Sequence, residues 1–340
     1  MSQVPRIGID AMGGDFGPLP VAEGAALALR ERPGRFQLTL VGDEAEIRAA
    51  IKRARAESLP IDVVHAAEKV EMGAKAVASA RRSGTSLGVL TQLHKERKLD
   101  AIFSAGNTGA VVATALLGLG RLEGVTRPAL AAFFPNVSHG TIVLDVGANA
   151  EVKAQYLLQF AHMGSCYARY LLGHENPRVG LLSIGEEDNK GNQLVQETLP
   201  LLRGAKHLNF IGNVEGRDLF RGTCDVIVTD GFTGNVLLKT AESAATFLGG
   251  AVKDEIKRDP LAMLGSLFMM PAFGRLKRKL DWEEYGGAPL LGVNGVCFIG
   301  HGASGKKAFH SAIRTLTNFI EKRVNEHIRE ELQSDHVTAA

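Results

Sequence analysis

Short apolar runs rich in β-branched residues alternate with helical segments along this chain, and this alternation restricts its fold more than any other feature. The runs are Arg6–Asp10, Gln37–Val41, Asp62–His65, Asp100–Ser104, Thr141–Asp145, Arg178–Ile184, Leu208–Gly212, Asp225–Thr229 and Gly295–Gly300. Several are apolar at consecutive positions, which indicates strands covered by helices on both faces. The pattern predicts a doubly wound, mainly parallel α/β sheet. With no repeat or flexible linker, residues 1–340 form a single α/β domain or two closely packed lobes.

Glycine-rich polar loops follow the predicted strands. They read DAMGGD, SAGNTGA, DVGANAE, IGEEDNKGN, GNVEGRD and TDGFTGNV, each just before a helical segment. Glycine exposes backbone N–H groups, and a helix N-terminus adds partial positive charge, so such loops bind anions. For any one of them taken alone, a turn with an N-cap residue is the better interpretation. We expect all of them at the same end of one sheet, where together they form a polar, glycine-lined cleft.

Composition excludes several other classes of protein. The net charge is +2 and no nucleic-acid-reading motif is present, so we expect no nucleic-acid partner. Cys166, Cys224 and Cys297 are widely separated, which argues against a disulfide framework or a zinc site and for a reducing compartment. The first strand begins at Arg6, which leaves no room for a signal peptide. Apolar stretches are too short to span a bilayer, and we expect a cytoplasmic protein.

Two familiar motifs are incomplete. The segment GHGASGKK (residues 300–307) fits the start of a phosphate-binding P-loop, but Lys307 stands where Ser or Thr would hold magnesium. Nucleotide hydrolysis is therefore not expected, although Lys306 and the loop N–H groups could meet an anion. No G-x-G-x-x-G follows the first strand, which argues against a dehydrogenase. No metal-ligand pattern occurs, and no cofactor is predicted. Whether Glu186, Glu187 and Asp188 hold a magnesium ion is left open by the sequence.

With these loops in this order, the chain resembles the bacterial phosphate acyltransferases of phospholipid synthesis. The resemblance runs almost end to end and rests on DAMGGD, SAGNTGA, LDVGAN, RVGLLSIGEEDNKG, FIGNVEGRD, DVIVTDGFTGNVLLKT, YGGAPLLGVNG and HGASGK. It implies a homodimer that moves a fatty acyl group from acyl carrier protein onto inorganic phosphate, for a downstream glycerol-3-phosphate acyltransferase. It also implies a fold similar to phosphate acetyltransferases and to isocitrate and isopropylmalate dehydrogenases.

The residues suit this chemistry because phosphate is already an anion and can attack a thioester directly. The sequence has no G-x-S-x-G elbow, which agrees with direct transfer. We predict Lys190 and Asn235 as catalytic residues: Lys190 pairs with phosphate or polarises the carbonyl, and Asn235 donates toward the oxyanion. Lys190 could instead be a solvated surface lysine beside its three acidic neighbours. Predicted phosphate or substrate contacts are Gly13, Gly14, Asn107, Thr108, Arg127, Asn149 and Lys239.

The first loop, DAMGGD, has a simpler interpretation, in which its aspartates support the loop and its glycines let the backbone approach a ligand. Gly13 and Gly14 let backbone N–H groups approach phosphate or the thioester without a Cβ in the way. We expect Asp10 and Asp15 to support this loop by accepting N–H bonds. A general-base role for Asp10 is not required, because the nucleophile is already charged.

The segment at residues 259–287 combines apolar and basic side chains. We expect an insertion that Pro271 breaks into a helical hairpin. Its predicted contact residues are Leu267, Phe268, Met269, Met270, Phe273, Arg275, Lys277, Arg278 and Lys279. An apolar element beside a basic cluster suits a peripheral membrane contact or the acidic acyl carrier protein. Burial at a homodimer interface is the alternative, and both can hold at the base and tip of one hairpin.

The C-terminal region and the competing functions complete the predictions. Residues 303–332 carry apolar side chains at helical spacing and predict a core-packing helix, followed by a frayed tail at residues 333–340.

The alternative enzyme is a phosphate acetyltransferase that uses short acyl-coenzyme A thioesters. A non-catalytic membrane-associated scaffold for the downstream acyltransferase is an alternative of a different class.

Overall fold

A computed structural model describes residues 4–334 of the chain. The strands are β1 (Arg6–Asp10), β2 (Gln37–Gly42), β3 (Ile61–His65), β4 (Ala101–Ser104), β5 (Ala129–Phe134), β6 (Thr141–Leu144), β7 (Arg178–Leu182), β8 (Asn209–Val214), β9 (Val226–Val228), β10 (Ala288–Leu291) and β11 (Cys297–Ile299). The helices are α1 (Pro18–Glu31), α2 (Glu44–Arg53), α3 (Ala76–Ala80), α4 (Ser86–Lys95), α5 (Thr108–Gly118), α6 (Ala154–Tyr167), α7 (Gln193–Gly204), α8 (Asp218–Arg221), α9 (Gly231–Arg258), α10 (Pro260–Leu280), α11 (Lys306–Glu321) and α12 (Val324–Ser334). A π-helical turn (Ala168–Leu172) extends α6, and a 3₁₀ turn (Trp282–Tyr285) follows α10.

All eleven strands form one mixed sheet, in the order β3-β2-β1-β4-β11-β10-β5-β6-β9-β7-β8. Buried apolar side chains pack on both faces of this sheet, beneath the helices. The doubly wound, mainly parallel α/β fold predicted from the sequence is therefore confirmed. Each of the nine predicted strands is present, within a few residues at either end.

The sheet consists of two parallel half-sheets that run in opposite directions. Strands β1 to β4 and β11 form the first half, while β6, β7, β8 and β9 form the second. The junction is made by β10 and β5, which pair antiparallel with β11, with each other and with β6. The expectation that the glycine-rich loops all lie at the same end of one sheet was wrong, because the two unpredicted strands β5 and β10 reverse the strand direction at the junction.

The reversal still brings the two sets of carboxyl ends together. On the first half-sheet, Ile299 at the end of β11 pairs with Ala288 of β10. On the second, Leu144 at the end of β6 pairs with Ala131 of β5. The neighbouring residue Leu130 pairs with Leu290 of β10. The loops that follow both half-sheets therefore meet at the short β5–β10 junction.

The C-terminal region forms two helices where one was predicted. Between α11 and α12 the chain turns at Lys322 and Arg323, and Arg323 has a φ of 52°. The helix α12 packs its buried side of Val324, Ile328 and Leu332 on the core and runs to Ser334. The first two residues of the predicted tail are thus helical, and residues 335–340 lie outside the described residues.

The helical hairpin is formed by α9 and α10, with its turn at Asp259. The carboxylate of Asp259 caps α10 by accepting the N–H of Leu261 at 2.8 Å. Pro271 lies inside α10, and the helix continues through it. The predicted break at Pro271 was therefore wrong. An interior proline removes one helical hydrogen bond, and in this helix that loss does not end the element.

Candidate active site at the junction of the two half-sheets

A cavity of about 570 Å³ opens where the loops of both half-sheets meet. Its glycines come from five segments: Gly106 and Gly109 after β4, Gly147 after β6, Gly231 at the start of α9, Gly287 just before β10, and Gly300 and Gly302 after β11. Polar side chains of Asp15, Thr108, Asn235, Lys239, Glu242 and His301 also line it. The remaining wall is mostly apolar and includes Leu130, Ala132, Phe133, Ala288 and Ile299. One cavity therefore combines a polar, glycine-rich side with an apolar side.

Two helix N-termini face this cavity. Helix α5 begins at Thr108, where Asn107 caps it by accepting the N–H of Ala110 at 2.9 Å. Helix α9 begins at Gly231, where Asp230 accepts the N–H of Thr233 at 2.8 Å. The first N–H groups of a helix have no intrahelical acceptor and carry partial positive charge. Together the two ends favour an anion inside the cavity.

Asp10 organises the first loop from its base. Its Oδ1 accepts the N–H groups of Met12 and Gly13 at 3.1 Å each, and its Oδ2 accepts the Ser104 hydroxyl at 2.7 Å. Burial raises the pKa of this carboxyl, and hydrogen bonds from Ser104, Ser86 and the loop N–H groups partly offset that increase. The contacts agree with the predicted loop-support role of Asp10.

Asp145 performs the same task in the loop after β6. Its Oδ1 accepts N–H groups from Leu130, Gly147 and Ala148 at 2.9 to 3.1 Å. Its Oδ2 accepts the backbone and side-chain N–H groups of Asn149 at 2.7 and 2.8 Å. Burial raises the pKa of this carboxyl while those donors lower it. Asp145 was not singled out in the sequence, although Asp at a strand end before a glycine was the available signal.

Four predicted residues line the cavity: Asp15, Thr108, Asn235 and Lys239. Asn235 lies in the first turns of α9, close to Gly147. A Cβ added to Gly147 would lie 3.6 Å from Oδ1 of Asn235. The ammonium of Lys239 pairs with Glu242 at 2.8 Å. The backbone N–H of Asp15 donates to the carbonyl of Gly302 at 2.8 Å, which fastens the first loop to the loop after β11.

Gly13 and Gly14 are not among the residues that line the cavity. An added Cβ on Gly13 would come within 2.9 Å of the N–H nitrogen of Gly106, so only glycine fits there. Gly14 has a φ of 95°, a conformation that favours glycine.

Two predicted asparagines are committed to backbone contacts. The amide of Asn107 donates to the carbonyl of Met72, and that of Asn149 donates to the carbonyl of Pro128 at 2.7 Å. Arg127 is exposed and lines a separate cavity of about 440 Å³ with Arg121 and Tyr156.

Lys190 is exposed in the loop after β7 and is not among the residues that line the central cavity. Its acidic neighbours point to solvent, since Glu186 pairs with Arg217 at 2.9 Å and Asp188 with Arg203 at 2.5 Å. Within residues 4–334 the structure shows no ion pair that involves Lys190.

The P-loop-like segment binds a carboxylate of the protein itself. The N–H of Gly305 donates to Oε1 of Glu283 at 2.8 Å, and Lys307 pairs with Asp281 and Glu284 at 2.7 Å each. Glu283 therefore lies at the N-terminus of α11, against the backbone N–H of its N-cap residue. No group of three or more His, Cys, Asp or Glu side chains within residues 4–334 is arranged to hold a metal ion.

All three cysteines are buried thiols. Burial raises the pKa of Cys224 to about 11 and that of Cys297 to about 12. Burial also raises the pKa of Cys166, whose Sγ–H donates to Glu331 at 3.1 Å. None of them carries the thiolate that nucleophilic catalysis requires at neutral pH.

The hairpin exposes an unusual amount of apolar surface. Leu261 is 79% exposed and Phe268 is 83% exposed. The predicted contact residues Leu267, Phe268, Met269, Met270 and Phe273 all lie exposed on α10, beside Arg275, Arg278 and Lys279, and the Lys277 side chain lies outside the described residues. No helix within the described residues is long and apolar enough to cross a membrane.

The fold is that of the phosphotransacetylases. Solved structures with the same architecture include a phosphotransacetylase from Streptococcus pyogenes (TM-score 0.64, 17% identity, 94% of this chain and 95% of that one). The phosphotransacetylase EutD from Staphylococcus aureus has a TM-score of 0.59 at 16% identity, covering 94% of each chain.

Sequence comparison identifies the family. The profile described as "Fatty acid synthesis protein" matches residues 5–327. A phosphate acyltransferase from Pelotomaculum thermopropionicum is 46% identical over 98% of this chain and 97% of its own length. One from Acidobacterium capsulatum is 48% identical over 95% of both chains. The chain belongs to the phosphate acyltransferase family of enzymes, as its motifs predicted.

Proposed function

We propose that this enzyme transfers a long-chain fatty acyl group from acyl carrier protein to inorganic phosphate, giving acyl phosphate for phospholipid synthesis. The single observation that carries the proposal is the cavity between the half-sheets, which places two helix N-termini beside an apolar wall. The helix ends suit phosphate, and the apolar wall suits an acyl group. Membership of the phosphate acyltransferase family supports the same reaction.

In the proposed mechanism, phosphate attacks the thioester carbonyl directly. The backbone N–H groups of α5 and α9 hold the anion against the carbonyl carbon, and Asn235 donates its amide to the developing oxyanion. Lys190 keeps its predicted role as a mobile charge for phosphate, which requires the loop after β7 to approach the cavity. No acyl-enzyme forms, in agreement with the three buried thiols.

The exposed hairpin is the proposed contact with other molecules. Its apolar side chains would contact a second copy of the chain at the hairpin base and a lipid surface at the tip near Asp259. The basic residues that follow Phe273 offer a complementary surface to the acidic carrier protein. These contacts make the proposed enzyme a cytoplasmic homodimer at the membrane, next to the glycerol-3-phosphate acyltransferase that would consume its product.

The test is an assay with purified protein, palmitoyl-acyl carrier protein and inorganic phosphate, following acyl phosphate and free carrier protein. Lys190→Ala and Asn235→Ala run in parallel, and loss of one such group should lower the rate about 100- to 1000-fold. Lys206→Ala, which changes an exposed lysine in the loop after α7, is the matched control. An unaffected rate in both variants would overturn the site assignment while leaving the reaction intact.

Other arms of the assay separate the alternatives. Activity with acetyl-coenzyme A and none with palmitoyl-acyl carrier protein would indicate a phosphate acetyltransferase. Vesicle binding without consumption of any thioester would indicate a scaffold. Phe268→Asp and Leu261→Asp, compared in vesicle flotation and in light scattering, assign the middle and tip of the hairpin to lipid or to a second copy.

A further inference from the structure

His301 is the first residue after Gly300 at the end of β11, and it lines the cavity. Its backbone is fixed by Ser304, whose N–H and hydroxyl both donate to the His301 carbonyl, at 2.9 and 2.6 Å. The next residue, Gly302, accepts the N–H of Asp15. The imidazole therefore stands on a loop that is anchored on both sides.

The hydrogen bonds of the ring determine where its proton lies. The N–H of Ala303 donates to Nδ1 of His301 at 3.1 Å. A nitrogen that accepts a hydrogen bond carries no proton, so the neutral imidazole has its proton on Nε2. The indole of Trp282 packs against the ring with centroids 5.3 Å apart and limits its rotation. With Nδ1 occupied as an acceptor, the ring is left with Nε2 as its donor position.

Among the other polar groups of the cavity, Asn235 already donates to the developing oxyanion in the proposed mechanism, and His301 would be a second donor to that oxygen. Lys239 is paired with Glu242, and Asp15 is an acceptor. The apolar wall next to His301 includes Ile299, which lies two residues before it on β11. A substrate whose acyl chain lies on that wall would bring its thioester carbonyl into the part of the cavity that His301 lines.

We propose that His301 is a catalytic residue whose Nε2–H donates to the thioester carbonyl oxygen. The inference rests on the proposed function. When a phosphate oxygen bonds to the carbonyl carbon, the C=O π electrons move to the carbonyl oxygen, and the hydrogen bond from Nε2–H to that carbonyl oxygen strengthens. Collapse restores the C=O bond and breaks the C–S bond. The thiolate of the carrier leaves and takes up the proton that hydrogen phosphate releases, and His301 keeps its own proton throughout.

The test compares His301→Phe with His301→Gln in the palmitoyl transfer assay. Phenylalanine keeps a ring against Trp282 but has no donor, so kcat should fall about 100- to 1000-fold with KM for phosphate changed by less than about twofold. Glutamine keeps an N–H at a similar reach and should restore part of the rate. His65→Phe is the matched control, since His65 also accepts a backbone N–H through Nδ1 (from Glu44, 3.3 Å) but does not line the cavity.

The outcomes separate this inference from the proposed function. No acyl phosphate from the wild type would overturn the proposed function itself. An active wild type with His301→Phe at the same kcat would overturn the role of His301 alone. A rise of KM for phosphate at unchanged kcat would assign His301 to phosphate and also overturn the proposal. Thermal unfolding of each variant distinguishes a lost donor from a lost fold.

Discussion

The hydroxyl of Ser104 donates to Oδ2 of Asp10 at 2.7 Å, which ties the carboxyl end of β4 to that of β1. Both residues are buried. Ser104 also accepts the N–H of Gly106 through its Oγ, at 3.2 Å. One hydroxyl therefore holds two loops of the cavity in register.

Replacing Ser104 with alanine should destabilise the fold because it leaves a buried carboxylate without one of its donors. We expect a loss of about 1–3 kcal/mol in the free energy of unfolding, measured by urea denaturation. Ser266→Ala is the control, since Ser266 makes an exposed bond to the carbonyl of Met263. Equal stability of Ser104→Ala and the wild type would show that the bond is not stabilising.

Gly234→Ala should displace the start of α9. An added Cβ there would lie 1.9 Å from the carbonyl oxygen of Asp145, so the helix and the loop after β6 must separate. We expect a clear loss of both thermal stability and transfer activity. Gly249→Ala on the same helix meets open space and should be stabilising by about 0.5–1 kcal/mol. If the two variants unfold at the same temperature, this close packing does not exist.

Asn107 offers a way to separate two contacts of one side chain. Its Oδ1 caps α5, and its amide donates to the carbonyls of Met72 and Ala74. Asn107→Ala should lose both contacts, at about 1 kcal/mol for the cap alone. Asn107→Asp keeps the cap acceptor and loses only the amide donors. Hydrogen exchange should accelerate around residue 72 in both variants, and at the start of α5 only in Asn107→Ala.

The Asp225–Arg178 pair should make stability depend on pH. Burial raises the pKa of Asp225, but Arg178, which donates both its backbone N–H and its guanidinium, outweighs burial and leaves that pKa below the usual value of 3.8. The unfolded chain then binds more protons between the two pKa values. The stabilisation is therefore present above about pH 4 and is lost as pH falls through the folded-state pKa.

Asp225→Asn measures this contribution. The wild type should exceed the variant by about 1–3 kcal/mol in the free energy of unfolding at pH 7, with the difference shrinking as the pH falls below about 4. Asp254→Asn, at an exposed position on α9, should shift stability by less than about 0.5 kcal/mol. A difference that grows toward acid pH would reverse the assigned direction of the pKa.

The two strands that the sequence did not reveal show where local reasoning ends. Ala129–Phe134 reads ALAAFF, with no β-branched residue, and Ala288–Leu291 reads APLL, with a proline. Their strand conformation comes from hydrogen bonds to neighbours on both sides in the centre of the sheet. These two strands reverse the strand direction between the half-sheets. Which glycine-rich loops meet at the cavity therefore could not be predicted without them.

The sequence by itself determined the α/β class, the nine other strands and the glycine-rich loops that line the cavity, because hydrophobic periodicity and turn chemistry are local properties. Its ordered motifs also indicated the family. Only the tertiary structure decided which loops meet, since β5 and β10 set the relative direction of the half-sheets. It also decided that Asn107 and Asn149 bind backbone carbonyls, that Lys190 lies outside the cavity, and that His301 lines it with Nδ1 accepting the N–H of Ala303. Those positions depend on contacts between distant segments, which no local pattern encodes.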